Sequence, residues 1–175
     1  MGDLKSKLDF IKSKESFFEK IKRIIPGYDG YVNRDNSREL DTLLRNQFAM
    51  KLEHNRVKIK NIVSNFSKNN RLFLATDIDK IEKKNDTAIA KFRSAARGYS
   101  GAFDVVKIKD EQLERIYDFD ASLFAGVEEI GALFDSLESI SEQNLDSKDA
   151  EAKVSKALTD LIFKFDEREA ILRTL

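Results

Sequence analysis

Apolar residues recur at helical spacing in five segments of the chain. Spacings of three, four and seven place the apolar residues of each segment on one face of a helix. The last segment shows the pattern clearly, with Val154, Leu158, Leu161, Ile162, Phe165 and Leu172. We predict helices over about residues 4–25, 36–67, 70–97, 110–140 and 147–172.

Glycine, proline and polar residues separate the predicted helices. Pro26-Gly27 ends the first helix, Gly98 and Gly101 end the third, and a polar run over 141–147 ends the fourth. Because short connections favour antiparallel neighbours, the prediction is an all-α, elongated antiparallel bundle of about five helices with up-down topology. We expect residues 1–175 to form a single domain. This topology puts the 26–35 and 98–109 loops at the same end.

Two glycines interrupt the fourth predicted helix. Gly126 and Gly131 each cost about 1 kcal/mol relative to alanine inside a helix. We expect a close helix crossing to compensate, since a glycine lets two backbones approach.

The amino-acid composition excludes several kinds of site and several classes of protein. The chain has no cysteine, which excludes disulfides, thiolate metal sites and cysteine nucleophiles. Apolar runs are too short to cross a bilayer, and the first residues, MGDLKSKLDF, lack the apolar stretch of a secretory signal. We therefore expect a cytoplasmic protein.

The zero net charge hides an asymmetry between the two parts of the chain. Residues 1–109 carry 24 Lys/Arg and 14 Asp/Glu, whereas residues 110–175 carry 7 and 17. One interpretation is that basic early helices pack beside acidic late ones. The other is an exposed basic face that meets an anionic partner.

The usual catalytic signatures are missing from the sequence. His54 is the only histidine, so a paired-histidine metal site is impossible, and we interpret it as an ordinary surface residue. Gly27 and Gly30 lack the Gly-Lys-Ser/Thr of a phosphate-binding loop. We expect no cofactor, no metal and no catalytic residues. A less favoured hypothesis for the function is an enzyme whose site is built from Asp29, Asp104 and Asp120 with Arg and Tyr side chains.

Two loops contain the pattern Gly-Tyr-x-Gly, at residues 27–30 and 98–101. One interpretation is that the tyrosines cap the open end of the bundle. The other is an aromatic and basic rim that binds a partner peptide or an anionic group. The candidate partner-binding residues are Tyr28, Asp29, Tyr31, Arg34, Arg38, Arg97, Tyr99 and Asp104.

Asp120 lies on the apolar stripe of the fourth predicted helix. A buried carboxylate needs a partner, and we predict a structural ion pair with Arg97, or with Arg93 one turn earlier.

The loop motifs resemble a recurring pattern in uncharacterised bacterial helical proteins. The matching stretches are I-P-G-Y-D-G-Y at 25–31, followed by R-E-L-D at 38–41, and R-G-Y-S-G at 97–101. The resemblance covers about a quarter of the chain and carries no transferable activity. It implies only that the two loops act together.

Together these patterns favour a non-enzymatic protein–protein interaction or scaffold module that uses the end formed by residues 26–38 and 97–104. Self-association as a two-fold dimer fits the long amphipathic helices. The alternative is a peripheral protein that binds an anionic membrane or another polyanion through the basic N-terminal half, including the helix at 4–25. We do not expect nucleic-acid binding, because no recognisable module is present and the second half is acidic.

Overall fold

The computed structural model describes residues 19, 21–23, 37–94 and 110–173. Residues 19 and 21–23 are helical and are the described part of helix α1. The other helices are α2 (Ser37–Lys68), α3 (Ala75–Ser94), α4 (Asp110–Glu142) and α5 (Lys148–Arg173), with a 3₁₀ turn over Leu72–Leu74. The described part of the chain contains no strand, and its helices pack on one another, so the prediction of an all-α bundle is confirmed.

The four long helices form two antiparallel hairpins that lie side by side. Helices α2 and α3 form one hairpin and α4 and α5 the other, while α2 also packs on α4 and α3 on α5. In both of these last contacts the two helices run parallel. In the α2–α4 contact, for example, Lys51 contacts Glu128, and Asn61, farther along α2, contacts Glu138, farther along α4. Successive helices therefore alternate in direction, as the up-down topology requires.

Buried residues follow one another at alternating spacings of four and three. In α4 they are Ile116, Asp120, Leu123, Val127, Ile130, Phe134, Leu137 and Ser141. From Ser147, just before α5, the same spacing continues through Glu151, Val154, Leu158, Leu161, Phe165, Arg168 and Leu172 of α5. This spacing keeps one narrow stripe of each helix facing its neighbours. Ile21 of α1 is buried in the same core.

Most of the core is apolar, and buried polar residues interrupt it. Near one end the rings of Phe48, Phe92 and Phe165 meet edge to face, with centroids 5.3 and 4.6 Å apart. At mid-height the Asn55 amide donates to Asn85 Oδ1 at 3.3 Å, and Asn85 donates to the backbone oxygen of Leu52 at 3.1 Å. These bonds satisfy amides that would otherwise be costly to bury.

The same turn geometry ends α2 and α4. Asn70 and Asn144 both have a φ of 56°, the left-handed conformation that asparagine tolerates better than most residues. The next amide in each turn bonds back to a carbonyl five residues earlier, Arg71 to Phe66 at 2.8 Å and Leu145 to Ile140 at 3.1 Å. Both hairpins therefore close with a Schellman motif.

Arg71 links the two turns. Its Nη1 donates to the backbone oxygens of Asn144 at 3.3 Å and Leu145 at 2.8 Å, and to the side chain of Asn144 at 3.2 Å. We call this the turn end of the bundle. The opposite end, where α2 and α4 begin and α3 and α5 finish, is the loop end.

The two glycines of α4 have different surroundings. A Cβ added at Gly126 would lie 3.2 Å from Leu161 Cδ1, so α5 packs against this glycine through a leucine side chain, and the close approach of the two backbones stays a prediction. A Cβ at Gly131 would meet nothing within 4 Å, and the expectation is wrong for this residue. The Gly131 carbonyl instead accepts a bond from Lys58 Nζ at 2.9 Å.

Basic and acidic hairpins pack against each other, as the first interpretation of the charge asymmetry expects. Lys51 and Lys58 of α2 pair with Glu128 and Asp135 of α4, and Lys91 of α3 pairs with Asp166 of α5. Each such partly exposed pair contributes about 0–1 kcal/mol, so their main effect is to favour one alignment of the hairpins. None of the helices in the described ranges combines the length and apolarity that a bilayer crossing requires.

Candidate functional site

The loop end holds a buried ionic cluster that joins all four long helices. It consists of Asp41 and Arg45 of α2, Asp120 of α4, and Arg168 and Glu169 of α5. Arg45 also reaches the last turns of α3. The cluster lies directly beneath the helix ends from which the 26–36 and 95–109 segments depart.

Arg168 is the centre of the cluster and is only 1% exposed. Its Nε donates to Asp120 Oδ1 at 2.6 Å, while its Nη2 contacts Asp120 Oδ2 at 3.5 Å and bonds to Asp41 Oδ1. Its Nη1 lies 3.5 Å from Glu169 Oε1. One guanidinium therefore ties α5 to both α2 and α4.

Arg45 extends the cluster to the third neighbour. Its Nε donates to Asp41 Oδ2 at 2.8 Å, and its Nη1 donates to the backbone oxygen of Phe92 at 3.0 Å. Cations near the C-terminus of a helix are favourable, because the last carbonyls lack helical partners. Asp41 is shared by two arginines, so neither helix hairpin can shift alone without breaking a charged hydrogen bond.

The cluster contains two guanidinium groups and three carboxylates. Taking such charges out of water costs several kcal/mol per ion, which their mutual contacts roughly offset when the geometry is good. Removing a single member leaves buried charge with fewer partners and is strongly destabilising. The contacts of the cluster therefore constrain how the helix ends are arranged, whether or not they add net stability.

The predicted partner-binding residues fall almost entirely outside the described residues. This holds for Tyr28, Asp29, Tyr31, Arg34, Arg97, Tyr99 and Asp104. Arg38 lies in the first turn of α2, where the structure describes the backbone only. The helix ends that border both loops do lie together, because Arg45 near the start of α2 bonds to Phe92 near the end of α3.

The described ionic partner of Asp120 is Arg168. Asp120 is 1% exposed, and the predicted pair with Arg97 lies outside the described residues. The alternative prediction, that Arg93 pairs with Asp120, is wrong, because the Arg93 guanidinium is half exposed and pairs with Glu53 at 2.7 Å. Arg93 therefore stabilises the α2–α3 contact at the surface.

Sequence reasoning missed Asp41, Arg45 and Arg168 as members of a core cluster. The signal was present, since Arg168 lies three residues after Phe165 and four before Leu172, on the buried stripe of α5. Asp41 and Arg45 likewise continue the stripe of α2 that contains Phe48. A charged residue at a core spacing on each of three helices indicates a shared buried ion cluster.

Other candidate chemistry is limited in the described ranges. His54 is exposed, which agrees with its interpretation as a surface histidine. No group of three or more His, Asp or Glu side chains in the described ranges is arranged to hold a metal ion. No protein-family model, curated protein or solved structure matches the chain.

Proposed function

We propose that the protein is a non-enzymatic interaction or scaffold module that binds a protein partner through its loop end, residues 26–38 and 97–104. The observation that supports this most is the buried cluster around Arg168. A binding surface retains more of its contact energy when the elements beneath it are rigid, because less ordering entropy is lost on binding.

The composition of the two loops supports a protein partner. Tyr28, Tyr31 and Tyr99 are rigid amphipathic side chains, and Arg34 and Arg97 add charged hydrogen-bond donors. Tyrosine and arginine are enriched among residues that dominate binding energy at protein interfaces. The glycines beside Tyr28 and Tyr99 let the backbone turn sharply there.

The charge pattern gives less support to a membrane or polyanion surface. Lys51, Lys58 and Lys91 of the basic hairpin are paired with carboxylates of the acidic hairpin. These cations are therefore partly neutralised within the chain. A cytoplasmic location is part of the proposal, because a chain without cysteine gains nothing from an oxidising compartment.

The test is quantitative affinity capture, in which the full chain is the bait and the captured proteins come from a lysate of its native cells. We expect proteins captured by the wild type to be lost with the Tyr28→Ala/Tyr99→Ala variant, since truncation removes two aromatic contacts. A matched control is Phe73→Ala, which changes a 73% exposed aromatic residue at the turn end. The control should retain every partner.

Far-UV circular dichroism and a thermal melt establish that both variants fold like the wild type. If the folded tyrosine variant captures all wild-type partners in equal amounts, the loop end is not the binding surface. If the Phe73→Ala control alone loses them, the binding surface lies at the turn end.

A further inference from the structure

A groove of about 610 Å³ runs along the face of the α4–α5 hairpin that lies away from α2 and α3. Its floor is made of small and apolar residues, Gly126 and Leu133 of α4 and Ala157 and Leu161 of α5. Such a floor suits a second helix better than it suits a small molecule.

An exposed stripe of α5 borders this groove. It carries Lys156, Asp160, Phe163, Lys164 and Glu167, whose spacing places them on one side of the helix. Phe163 is 62% exposed, a large apolar surface for a monomer to leave in water. In the part of the chain that the structure describes, the four charged side chains of this stripe make no hydrogen bond or ion pair.

The unpaired charges of this stripe contrast with the charged residues at the contacts between helices of the bundle. Lysines and carboxylates pair across α2–α4 at Lys51 and Glu128 and across α3–α5 at Lys91 and Asp166. The stripe on α5 has the same mixture of charges, but no helix of the described chain lies opposite it.

We propose that the occupant of the groove is a second copy of this chain, with the two α5 helices antiparallel about a two-fold axis between Asp160 and Phe163. In this alignment Lys156 lies opposite Glu167 of the second copy. The position opposite Asp160 is one residue away from Lys164 of the second copy, so these two side chains can pair. Two-fold symmetry forms each pair twice, so four complementary pairs surround the two Phe163 rings.

The charge order selects this orientation. In a parallel, in-register pair every stripe residue would face its own copy, which brings lysine to lysine and aspartate to aspartate. The antiparallel alignment converts the same residues into opposite-charge pairs. The inference is independent of the loop-end proposal, because none of these residues belongs to 26–38 or 97–104.

Sedimentation equilibrium of the full chain tests the proposal. We expect a dimer of the 20.1 kDa chain at about 100 μM, a concentration at which even a weak two-fold contact is populated. Lys156→Glu and Glu167→Lys each turn two attractive pairs into repulsive ones, and each should raise the dimer Kd about tenfold or more. The double exchange restores opposite charges and should return Kd to within about threefold of the wild type.

Lys60→Glu is the matched control, since it reverses an exposed lysine of α2 away from the groove and should leave Kd unchanged. Phe163→Ser should weaken the dimer without changing the charges. A monomeric wild type would overturn the proposal and leave the groove to another occupant. A dimer that is insensitive to both single reversals would also overturn it, because its interface would lie elsewhere.

Discussion

Replacing the central arginine of the buried cluster has a consequence that can be worked out from its contacts. Arg168→Leu keeps an apolar stem of similar reach but removes the guanidinium from Asp120 and Asp41, which are 1% and 2% exposed. Both carboxylates then lose a charged hydrogen bond in a site that water does not reach. Asp41 keeps its bond to Arg45 at 2.8 Å, so it does not lose all of its charged contacts.

We expect this change to lower the free energy of unfolding by about 3–5 kcal/mol, the usual cost of removing one member of a buried ion pair. Whole domains are stable by only about 5–15 kcal/mol, so the loss is a large fraction of the total. For a chain of this size it corresponds to a decrease in Tm of about 6–20 °C.

Urea unfolding followed by far-UV circular dichroism measures the effect. Arg56→Leu is the matched control, because Arg56 pairs with Asp86 at 2.8 Å where both side chains are nearly half exposed. The control should lose little stability, because an exposed ion pair is screened by solvent. Adding Asp120→Leu to Arg168→Leu removes the buried charge as well and should recover about half of the loss.

A loss from Arg168→Leu that is no larger than the loss from Arg56→Leu would show that the buried contacts do not contribute this free energy. A double variant less stable than Arg168→Leu alone would show that the lost stability does not come from uncompensated buried charge.

Four further variants test the core and the turns by the same unfolding measurement. Gly131→Ala should stabilise the protein by about 1 kcal/mol, because α4 is open there. Gly126→Ala should gain less, because its Cβ crowds the Leu161 side chain, and an equal or larger gain would contradict this crowding. Asn85→Ala removes two buried hydrogen bonds and should cost about 2 kcal/mol, so a neutral result would argue against the amide contacts at mid-height. Arg71→Ala removes the link between the two turns and should cost about 1 kcal/mol, with no loss expected if the turns are held by their backbones alone.

The fold followed closely from local patterns. The predicted second helix, starting near residue 36 and ending at the polar run 67–70, matches α2 at Ser37–Lys68. The predicted start of the fourth helix at residue 110 matches α4, and the fifth differs by one residue at each end. The third helix begins later than predicted, at Ala75, because Asn70 takes a positive φ and a 3₁₀ turn intervenes.

The candidate site followed less directly from the sequence. The burial of Asp120 was predictable, since its spacing places it on the apolar stripe of α4. Arg168 lies 48 residues later, and no local rule says which buried charges on different helices will meet. The partner-binding loop residues stay a prediction, since they lie outside the described residues.

The sequence alone determined that the described part of this chain forms long helices, most of their ends, and the apolar stripe that each one buries. These properties depend on residues three to seven apart, whose contacts are local to one helix. Tertiary structure alone decided that α2 packs on α4 and that α3 packs on α5. It also decided that Asp41, Asp120 and Arg168 share one site. Those choices depend on which faces of distant segments meet, and alternation of apolar and polar residues does not distinguish one helical neighbour from another.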